Sequence, residues 1–333
     1  DSIEDKSIPT FARGELPHYA GINTFLKAPY TEDVLEVANY DATVLGIPFD
    51  GGTTYRPGTR FGPQGVRKIS ALYTPYNYET GVDLREQMTL CDAGDVFTIP
   101  ANIEKSFDQI SRAVSHVFSS GSLPVMIGGD HSITGGILQA IAGPGARLTG
   151  GEKVCLLHFD AHTDAYHNIP HFLGAVKSAA HWAAYLVEDG HVDPEHSVQV
   201  GIRGNVRSLD WLEPSYALGY EVVRKVDYDE MGPERVKELI AERIGDRPLY
   251  ITFDLDCLDP TVAPGVANIE AGIEGFGIDQ VTDLIRSVRG RNIIGGDVVC
   301  LMPTVDSPNA ITSYRAMAVM FEIISLIADA AGA

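Results

Sequence analysis

Acidic and imidazole side chains are concentrated in three short segments of this 333-residue chain, Gly128–Ser132, Asp160–Asp164 and Phe253–Pro260. Carboxylate oxygens and imidazole nitrogens are common ligands of divalent cations. Four carboxylates in one pocket would repel one another strongly unless cations lay among them. Six such ligands suit two divalent cations better than one. The six candidate ligands are His131, Asp160, His162, Asp164, Asp254 and Asp256.

Apolar runs precede the second and third segments and indicate how the ligands are positioned. Residues 154–157 and 249–253 are continuous apolar stretches, which are typical of buried parallel strands. Where such a strand ends, alternate residues can share one face. The acidic side chains of each segment can therefore converge just beyond its strand.

The remainder of the chain alternates strand and helix patterns without a change in composition. We predict further strands at 42–48, 123–127, 198–203, 220–226 and 293–300, with a short strand or edge segment within 82–96. We predict helices at 63–69, 103–118, 132–141, 177–188, 233–244, 279–289 and 310–330. This alternation favours one α/β domain, residues 39–333, around a mainly parallel sheet, with residues 1–38 as a polar N-terminal arm.

Composition restricts the classes of partner. The formal net charge of −20 argues against binding to nucleic acid or to an anionic membrane and modestly favours a small cationic ligand. No uninterrupted apolar run reaches 18 residues, so we expect no membrane partner. The four cysteines are scattered and none has a C-x-x-C spacing, which favours reduced thiols and a cytoplasmic location.

The three segments resemble the signature motifs of the ureohydrolase family, which includes arginase and agmatinase. Gly46–Asp50, Arg60–Pro63 and Ser197–Arg203 are most similar to the agmatinase branch. The resemblance implies a three-layer α/β/α fold and two divalent metal ions per chain, Mn²⁺ or Ni²⁺. One ion would bind His131, Asp160, Asp164 and Asp254, and the other His162, Asp160, Asp254 and Asp256, so that Asp160 and Asp254 bridge.

The resemblance also implies an activity. A water activated by the two metals would attack the central carbon of a guanidino group, and urea or a urea-like product and an amine would leave. Asp164 is the candidate proton shuttle, and His181 is the candidate for the catalytic histidine that the family carries after the second motif. Family members assemble as trimers and hexamers, so we expect a homo- or hetero-oligomer.

Two departures from the family pattern concern the substrate. Cys300 stands where the family has a glutamate that pairs with the guanidinium, and a thiol cannot replace that bidentate contact. The loop at 263–272 also differs from the agmatinase pattern, and its Asn268 and Glu270 are candidate pocket residues. The substrate could therefore be agmatine-like, a guanidino acid, free guanidine or a biguanide.

Two alternatives to an active ureohydrolase remain open. A catalytically weak accessory subunit of a hetero-oligomer would also explain Cys300, although an idle site has no need of four clustered carboxylates. A one-metal deacetylase of related fold is disfavoured, because it would not require the full set of six ligands.

Overall fold

The computed structural model describes residues 16–146, 149–206 and 208–332 of the chain, and its centre is an eight-stranded parallel sheet. The strands are β1 (Ala42–Ile47), β4 (Leu90–Asp95), β5 (Leu123–Gly128), β6 (Cys155–Phe159), β7 (Val198–Ile202), β8 (Glu221–Arg224), β9 (Leu249–Asp254) and β10 (Ile293–Val299). Their order across the sheet is β4-β1-β5-β10-β9-β6-β7-β8. A separate antiparallel pair consists of β2 (Tyr76–Asn77) and β3 (Val82–Asp83).

Helices cover both faces of the sheet. They are α1 (Gly62–Ser70), α2 (Leu84–Gln87), α3 (Ile103–Ser119), α4 (Ile133–Ile141), α5 (Trp182–Glu188), α6 (Glu213–Leu218), α7 (Lys225–Met231), α8 (Pro233–Ile244), α9 (Ile278–Arg286) and α10 (Ile311–Gly332). Buried side chains of α1, α8, α9 and α10 form one hydrophobic cluster, and those of α3, α4 and α5 form a second. Val125 of β5 belongs to the first cluster and Met126 to the second, as the alternation along a strand requires. The predicted three-layer α/β/α fold is confirmed.

Two glycines at the end of β5 bring its loop against the loop after β1. The amide of Gly129 donates to the carbonyl of Ile47 at 2.9 Å, and the amide of Asp130 donates to the carbonyl of Phe49 at the same distance. A Cβ on Gly129 would lie 1.9 Å from the Phe49 carbonyl oxygen, so only glycine fits. This close approach places His131 directly over the carboxyl end of the sheet.

The N-terminal part is more closely integrated than a polar arm. Phe25 is fully buried, and its amide donates to Oδ2 of Asp92 at 2.8 Å. Arg67 donates to the same carboxylate through Nε and Nη2. Phe25 therefore belongs to the hydrophobic core. The first 15 residues of the predicted arm lie outside the described residues, and the boundary at residue 38 stays a prediction.

Four predicted segments differ from the structure. The helix predicted from Lys177 begins at Trp182, because Ala179 donates its amide to the carbonyl of Gly52 and residues 177–181 form turns across the site. The strand predicted at 220–226 ends at Arg224, whose amide donates to Asp227 at the start of α7. The segment 82–96 divides into β3, α2 and β4, the last an edge strand of the main sheet. The helix predicted at 279–289 ends at Arg286, and α6 and α7 were not predicted.

The last helix, α10, is unusually apolar. Within Ile311–Ala331, an 18-residue window has a mean hydropathy of 1.5, and in the described part of the chain this is the one helix long and apolar enough to cross a membrane by composition. In the fold, 78% of that window is buried inside the molecule, and Met317 and Ile323 are fully inaccessible. Packing against the sheet therefore accounts for the apolar character of the helix.

Candidate active site

The sheet order brings the three motifs with the candidate metal ligands together. β5, β10, β9 and β6 are consecutive neighbours, and the motifs follow the carboxyl ends of β5, β9 and β6. In the register, Phe159 of β6 pairs with Phe253 of β9, so Asp160 and Asp254 come next on adjacent strands. β10 lies between β5 and β9, and Val299 pairs with Asp254, which places Cys300 at the same edge. Sites at the carboxyl edge are typical of parallel α/β sheets.

His131 lies at the centre of a group of three carboxylates. Its Nδ1 is 2.9 Å from Oδ2 of Asp160, 3.2 Å from Oδ2 of Asp164 and 3.3 Å from Oδ2 of Asp254. All four side chains are buried. His131 Nδ1 nevertheless makes no hydrogen bond within the described residues. An unpaired buried nitrogen that faces three carboxylate oxygens is the arrangement expected of cation ligands.

His162 forms a second group with the same aspartate. Its Nδ1 is 3.3 Å from Oδ1 of Asp160 and 3.2 Å from Oδ2 of Asp256. Oδ2 of Asp160 therefore faces His131 and Oδ1 faces His162, as the two oxygens of a bridging carboxylate would. The ligand atoms of Asp160, His162 and Asp256 all lie within 4.8 Å of one another, as do those of His131, His158, Asp160 and Asp164. The residues present thus fit two cations.

Each imidazole is oriented by a bond from its other nitrogen. His131 Nε2 is 2.8 Å from Oγ1 of Thr252, and that hydroxyl donates to Oδ1 of Asp297 at 2.6 Å. Because the Thr252 proton is used on Asp297, Nε2 must be the donor to Thr252, and Nδ1 keeps its lone pair for a metal. His162 Nε2 lies 3.0 Å from Oε1 of Glu270.

Asp297 and Thr252 are functional residues that the sequence analysis missed. Asp297 is fully buried within β10 and also accepts hydrogen bonds from the hydroxyls of Thr134 and Tyr250, each at 2.9 Å. Among the described residues, no lysine or arginine side chain forms an ion pair with Asp297, and its hydrogen-bond partners are hydroxyl groups. The sequence did contain a signal, because Asp297 stands within an otherwise apolar predicted strand. A carboxylate buried in this way needs several hydrogen-bond donors around it, which indicates a built polar network.

His158 supports Asp160. Its Nδ1 accepts from the side-chain amide of Gln199 at 3.2 Å, which leaves Nε2 as the donor to Oδ2 of Asp160 at 3.0 Å. These two bonds fix the orientation of the His158 ring beside Asp160.

Charges at the site favour additional positive charge. Burial raises the pKa of Asp256 well above its ordinary value, and the negative charge of Asp254 raises it further. Burial alone would lower the pKa of His131, but the nearby carboxylates of Asp160, Asp164 and Asp254 outweigh burial and raise it well above the usual range. These raised pKa values mean that Asp256 and His131 bind protons strongly. Divalent cations bound at the site would supply the same positive charge in place of the protons.

Asp164, the predicted proton shuttle, is held in an uncommon backbone conformation. Its φ is +50°, in the left-handed region that non-glycine residues seldom adopt. The indole Nε1 of Trp182 donates to Asp164 Oδ2 at 2.9 Å. Burial raises the pKa of this carboxyl. The position beside His131 suits proton transfer, and the shuttle role stays a prediction.

His181 lies behind the wall of the site. It is buried, its Nδ1 is 2.6 Å from the Ser178 hydroxyl, and its Nε2 has no partner within the described residues. Ala179 and Ala180 line the cavity in its place. The catalytic role predicted for His181 therefore stays a prediction without a direct contact to support it.

A cavity of about 120 Å³ adjoins the ligands. It is lined by Thr53, Thr54, Asp130, His162, Asp164, Tyr166, Ala179, Ala180, Asp254, Ala267, Asn268 and Cys300. Both oxygens of Asp130 already accept hydrogen bonds, from the amides of Ser132 and Gly52 at 2.8 Å each. Asn268 Oδ1 is buried and has no hydrogen-bond partner among the residues that the structure describes.

Cys300 and Glu270 occupy different positions relative to this cavity. Cys300 lines it with a φ of +69°, and its thiol is within hydrogen-bonding reach of Asp254. Burial raises the pKa of the Cys300 thiol well above its usual value, so the group is neutral. Glu270 is not free for substrate, because Oε1 contacts His162 and Oε2 accepts the amide of Asn205 at 3.2 Å.

Comparisons with known proteins agree with the motifs. Residues 40–325 match the arginase family. A guanidinopropionase from Pseudomonas aeruginosa is 33% identical over 322 residues, which cover 95% of each chain. A guanidinobutyrase from the same organism is 32% identical over 315 residues, which cover 94% of each chain. The solved structure of proclavaminate amidinohydrolase from Streptomyces clavuligerus matches 95% of this chain and 100% of its own, with 31% identity and a TM-score of 0.86.

Proposed function

Because this chain belongs to the arginase family, we propose that it is an amidinohydrolase that cleaves a C–N bond of a guanidino compound. Urea or a urea-like product and an amine would be released. The observation that carries the proposal is the convergence of the six predicted ligands at one edge of the sheet, with the second nitrogen of both imidazoles already bonded. Two of the relatives described above, the guanidinopropionase and the guanidinobutyrase, are named for guanidino compounds. Their names support the same class of substrate here.

Two divalent cations, Mn²⁺ or Ni²⁺, fit the ligand set. His131, Asp160, Asp164 and Asp254 would hold one, and His162, Asp160, Asp254 and Asp256 the other. Such a pair of cations activates water as a nucleophile near neutral pH. The imidazole and carboxylate ligands suit several first-row metals, and the metal is therefore chosen by availability as well as by affinity.

Side chains of the cavity would orient the guanidino group and move its proton. Asp164 lines the cavity and lies on the loop after β6, so it can pass a proton to the departing nitrogen. Cys300 and Asn268 also line the cavity, as neutral groups. Without a carboxylate at position 300, the cavity lacks the fixed charge that would grip one strongly basic guanidinium.

An accessory-subunit function would also be consistent with a thiol at position 300. The complete ligand set counts against it, because each of the four buried carboxylates costs stability unless cations neutralise them. Assembly as a homo- or hetero-oligomer, trimeric or hexameric, is part of the proposal. The isolated chain is assayed first, because urea release without a second type of chain would argue against an accessory subunit.

Urea release tests the proposal. The metal-loaded chain is assayed with free guanidine, agmatine, 3-guanidinopropionate, 4-guanidinobutyrate and a biguanide. We expect urea or a substituted urea from at least one compound, and none after Asp256→Asn. We also expect Cys300→Glu to raise kcat/KM for agmatine relative to the native substrate by about tenfold or more, as one charge-assisted pair would. Cys300→Ser is the matched neutral control.

The outcomes separate the alternatives. A wild-type chain that binds two metals per chain and hydrolyses none of the compounds would contradict the proposal and support an accessory subunit. A wild-type chain that hydrolyses agmatine faster than every other compound would overturn the inference from Cys300 and leave the hydrolase intact.

A further inference from the structure

The inner cavity adjoins a larger one that exposes more apolar than polar surface, although Asn168, His171, Asn205 and Ser208 also line it. The outer cavity has a volume of about 450 Å³ and shares Thr54, His162, Tyr166 and Ala180 with the inner cavity. A guanidino group beside the metal ligands would therefore direct its substituent outward, past these shared residues. The size of the outer cavity is in the range typical of small-molecule sites.

Aromatic and aliphatic side chains form one wall of the outer cavity. Ile169, Pro170 and Phe172 belong to the loop after the second metal motif, and Val206 and Trp211 belong to the loop after β7. Ile169, Phe172 and Trp211 are each partly buried. These side chains can surround a hydrocarbon chain or a ring without any rearrangement of charged groups.

The charged groups of the outer cavity do not suit an ionic substituent. No carboxylate occurs among its described lining residues, so a distal ammonium would have no counter-charge. Arg203 is the one described lysine or arginine in the lining, and its side chain is 5% exposed. Its nitrogens donate to the carbonyls of Asp256, Cys257, Leu258, Glu270 and Ile273. Arg203 therefore joins loops and has little capacity left for a carboxylate.

A second opening near His162 is lined by Tyr55, Arg56 and Glu270. Arg56 donates through Nη2 to the carbonyl of Val266 at 2.6 Å and through Nε to that of Ala267 at 3.1 Å. Glu270 is engaged with His162 and Asn205. The charged side chains of Arg56 and Glu270 therefore both hold the loop that carries Asn268 in place. This second opening also exposes less apolar surface than the outer cavity.

We infer that the substrate carries an apolar N-substituent, an alkyl or aryl group of roughly three to six carbons, that packs against Phe172 and Trp211 in the outer cavity. The inference rests on the proposed hydrolysis of guanidino compounds and specifies their class. Each additional methylene that the cavity buries away from water should raise kcat/KM by about fourfold. A terminal charge in the same place would lose that gain and remain without a partner.

The experiment compares two substrates of equal length. n-Pentylguanidine replaces the terminal ammonium of agmatine with a methyl group and is otherwise the same chain. We expect kcat/KM of the metal-loaded protein for n-pentylguanidine to exceed that for agmatine by at least about tenfold. It should also rise by about fourfold per methylene from methylguanidine to n-pentylguanidine. Arg207 lies outside the described residues, so 3-guanidinopropionate and 4-guanidinobutyrate are included as carboxylated probes.

Substitutions test whether the substituent packs against the apolar wall of the outer cavity. Trp211→Ala should lower the ratio of kcat/KM for n-pentylguanidine to that for guanidine by about tenfold, whereas general damage to the fold would lower both values together. Leu209→Ala is the matched control, because Leu209 is in the same loop, fully exposed and outside both cavities. Trp211 is one of two tryptophans and Trp182 is fully buried, so n-pentylguanidine should quench the fluorescence of the wild-type protein and not that of Trp211→Phe.

The results distinguish this inference from the proposed function. If no guanidino compound yields urea, the proposed function fails first. If urea forms and agmatine or a guanidino acid is the better substrate, or if the ratio is unchanged in Trp211→Ala, the apolar substituent is excluded and the hydrolase stands.

Discussion

Asp160 is the residue on which the site depends most directly. One of its oxygens is 2.9 Å from His131 and the other 3.3 Å from His162, and Oδ1 also accepts the amide of His162 at 2.7 Å. Burial alone would raise the pKa of Asp160, but the adjacent imidazoles of His131, His158 and His162 hold it well below its usual value. A permanently ionised carboxylate between two imidazoles is suited to bridge two cations.

Asp160→Asn tests this role. The amide can still accept the His162 amide hydrogen bond, so the fold should persist, but it lacks the charge needed to bridge cations. We expect the variant to lose at least one of two metal equivalents and more than about 100-fold in activity. Elemental analysis and circular dichroism measure the two properties separately.

The control for Asp160→Asn is Asp246→Asn, the same chemical change at a side chain that is fully exposed. It should retain the metal content and activity of the wild-type protein. Two full metal equivalents in a folded Asp160→Asn would sink the assignment of the bridge.

The loop after β1 is the element that closes the site, and Asp50 anchors it. Asp50 Oδ2 accepts the amide of Gly58 at 2.7 Å, and Oδ1 accepts Nε of Arg60 at 2.7 Å. The same loop supplies the amide of Gly52 to Asp130 and the carbonyl of Gly52 to Ala179. Order in this loop is therefore transmitted to two walls of the inner cavity.

Asp50→Asn should lower the free energy of unfolding by about 2 kcal/mol at neutral pH, since charge-assisted hydrogen bonds are lost. Burial alone would raise the pKa of Asp50, but the bonds from Arg60 and Gly58 outweigh it and lower the pKa. A lowered folded-state pKa gives stability that is present above about pH 4 and lost as the pH falls further. Urea denaturation at several pH values should show the difference between wild type and variant shrinking as the pH falls below about 4. A constant difference across this range would mean that the Asp50 charge contributes nothing.

At the scale of the whole molecule, the N-terminal segment completes the hydrophobic core. Phe25 packs in the same cluster as side chains of α1 and α10, and Leu26 donates its amide to the Ser70 hydroxyl at 3.0 Å. Arg67 pairs with Asp92 beneath it, at 2.8 Å. The segment therefore contributes to the fold in addition to any role at the surface.

Phe25→Ala should reduce the free energy of unfolding by about 3–5 kcal/mol, because it leaves a cavity in a fully buried position. Tyr19→Ala, at a side chain that is 91% exposed, should change it by less than about 0.5 kcal/mol. Guanidinium chloride denaturation measures both. If the two variants unfold at the same denaturant concentration, the segment is an independent arm after all.

The sequence by itself determined the class of fold and the candidate metal ligands. Long apolar runs report burial on both faces of a parallel sheet, and acidic residues at alternate positions just beyond them can only face its carboxyl edge. The family membership and the three-layer fold predicted from these motifs are confirmed. These properties are local in the chain, and so they can be recognised without knowing which strands become neighbours.

Only the tertiary structure decided which groups meet across the sheet. The strand order placed Cys300 beside Asp254, joined His131 through Thr252 to Asp297, and engaged Glu270 with His162. It also put Ala180 rather than His181 at the cavity wall and brought Phe172 and Trp211 to one outer cavity. These contacts join residues that are far apart in the chain, and they depend on strand order and loop closure, which residue spacing does not encode.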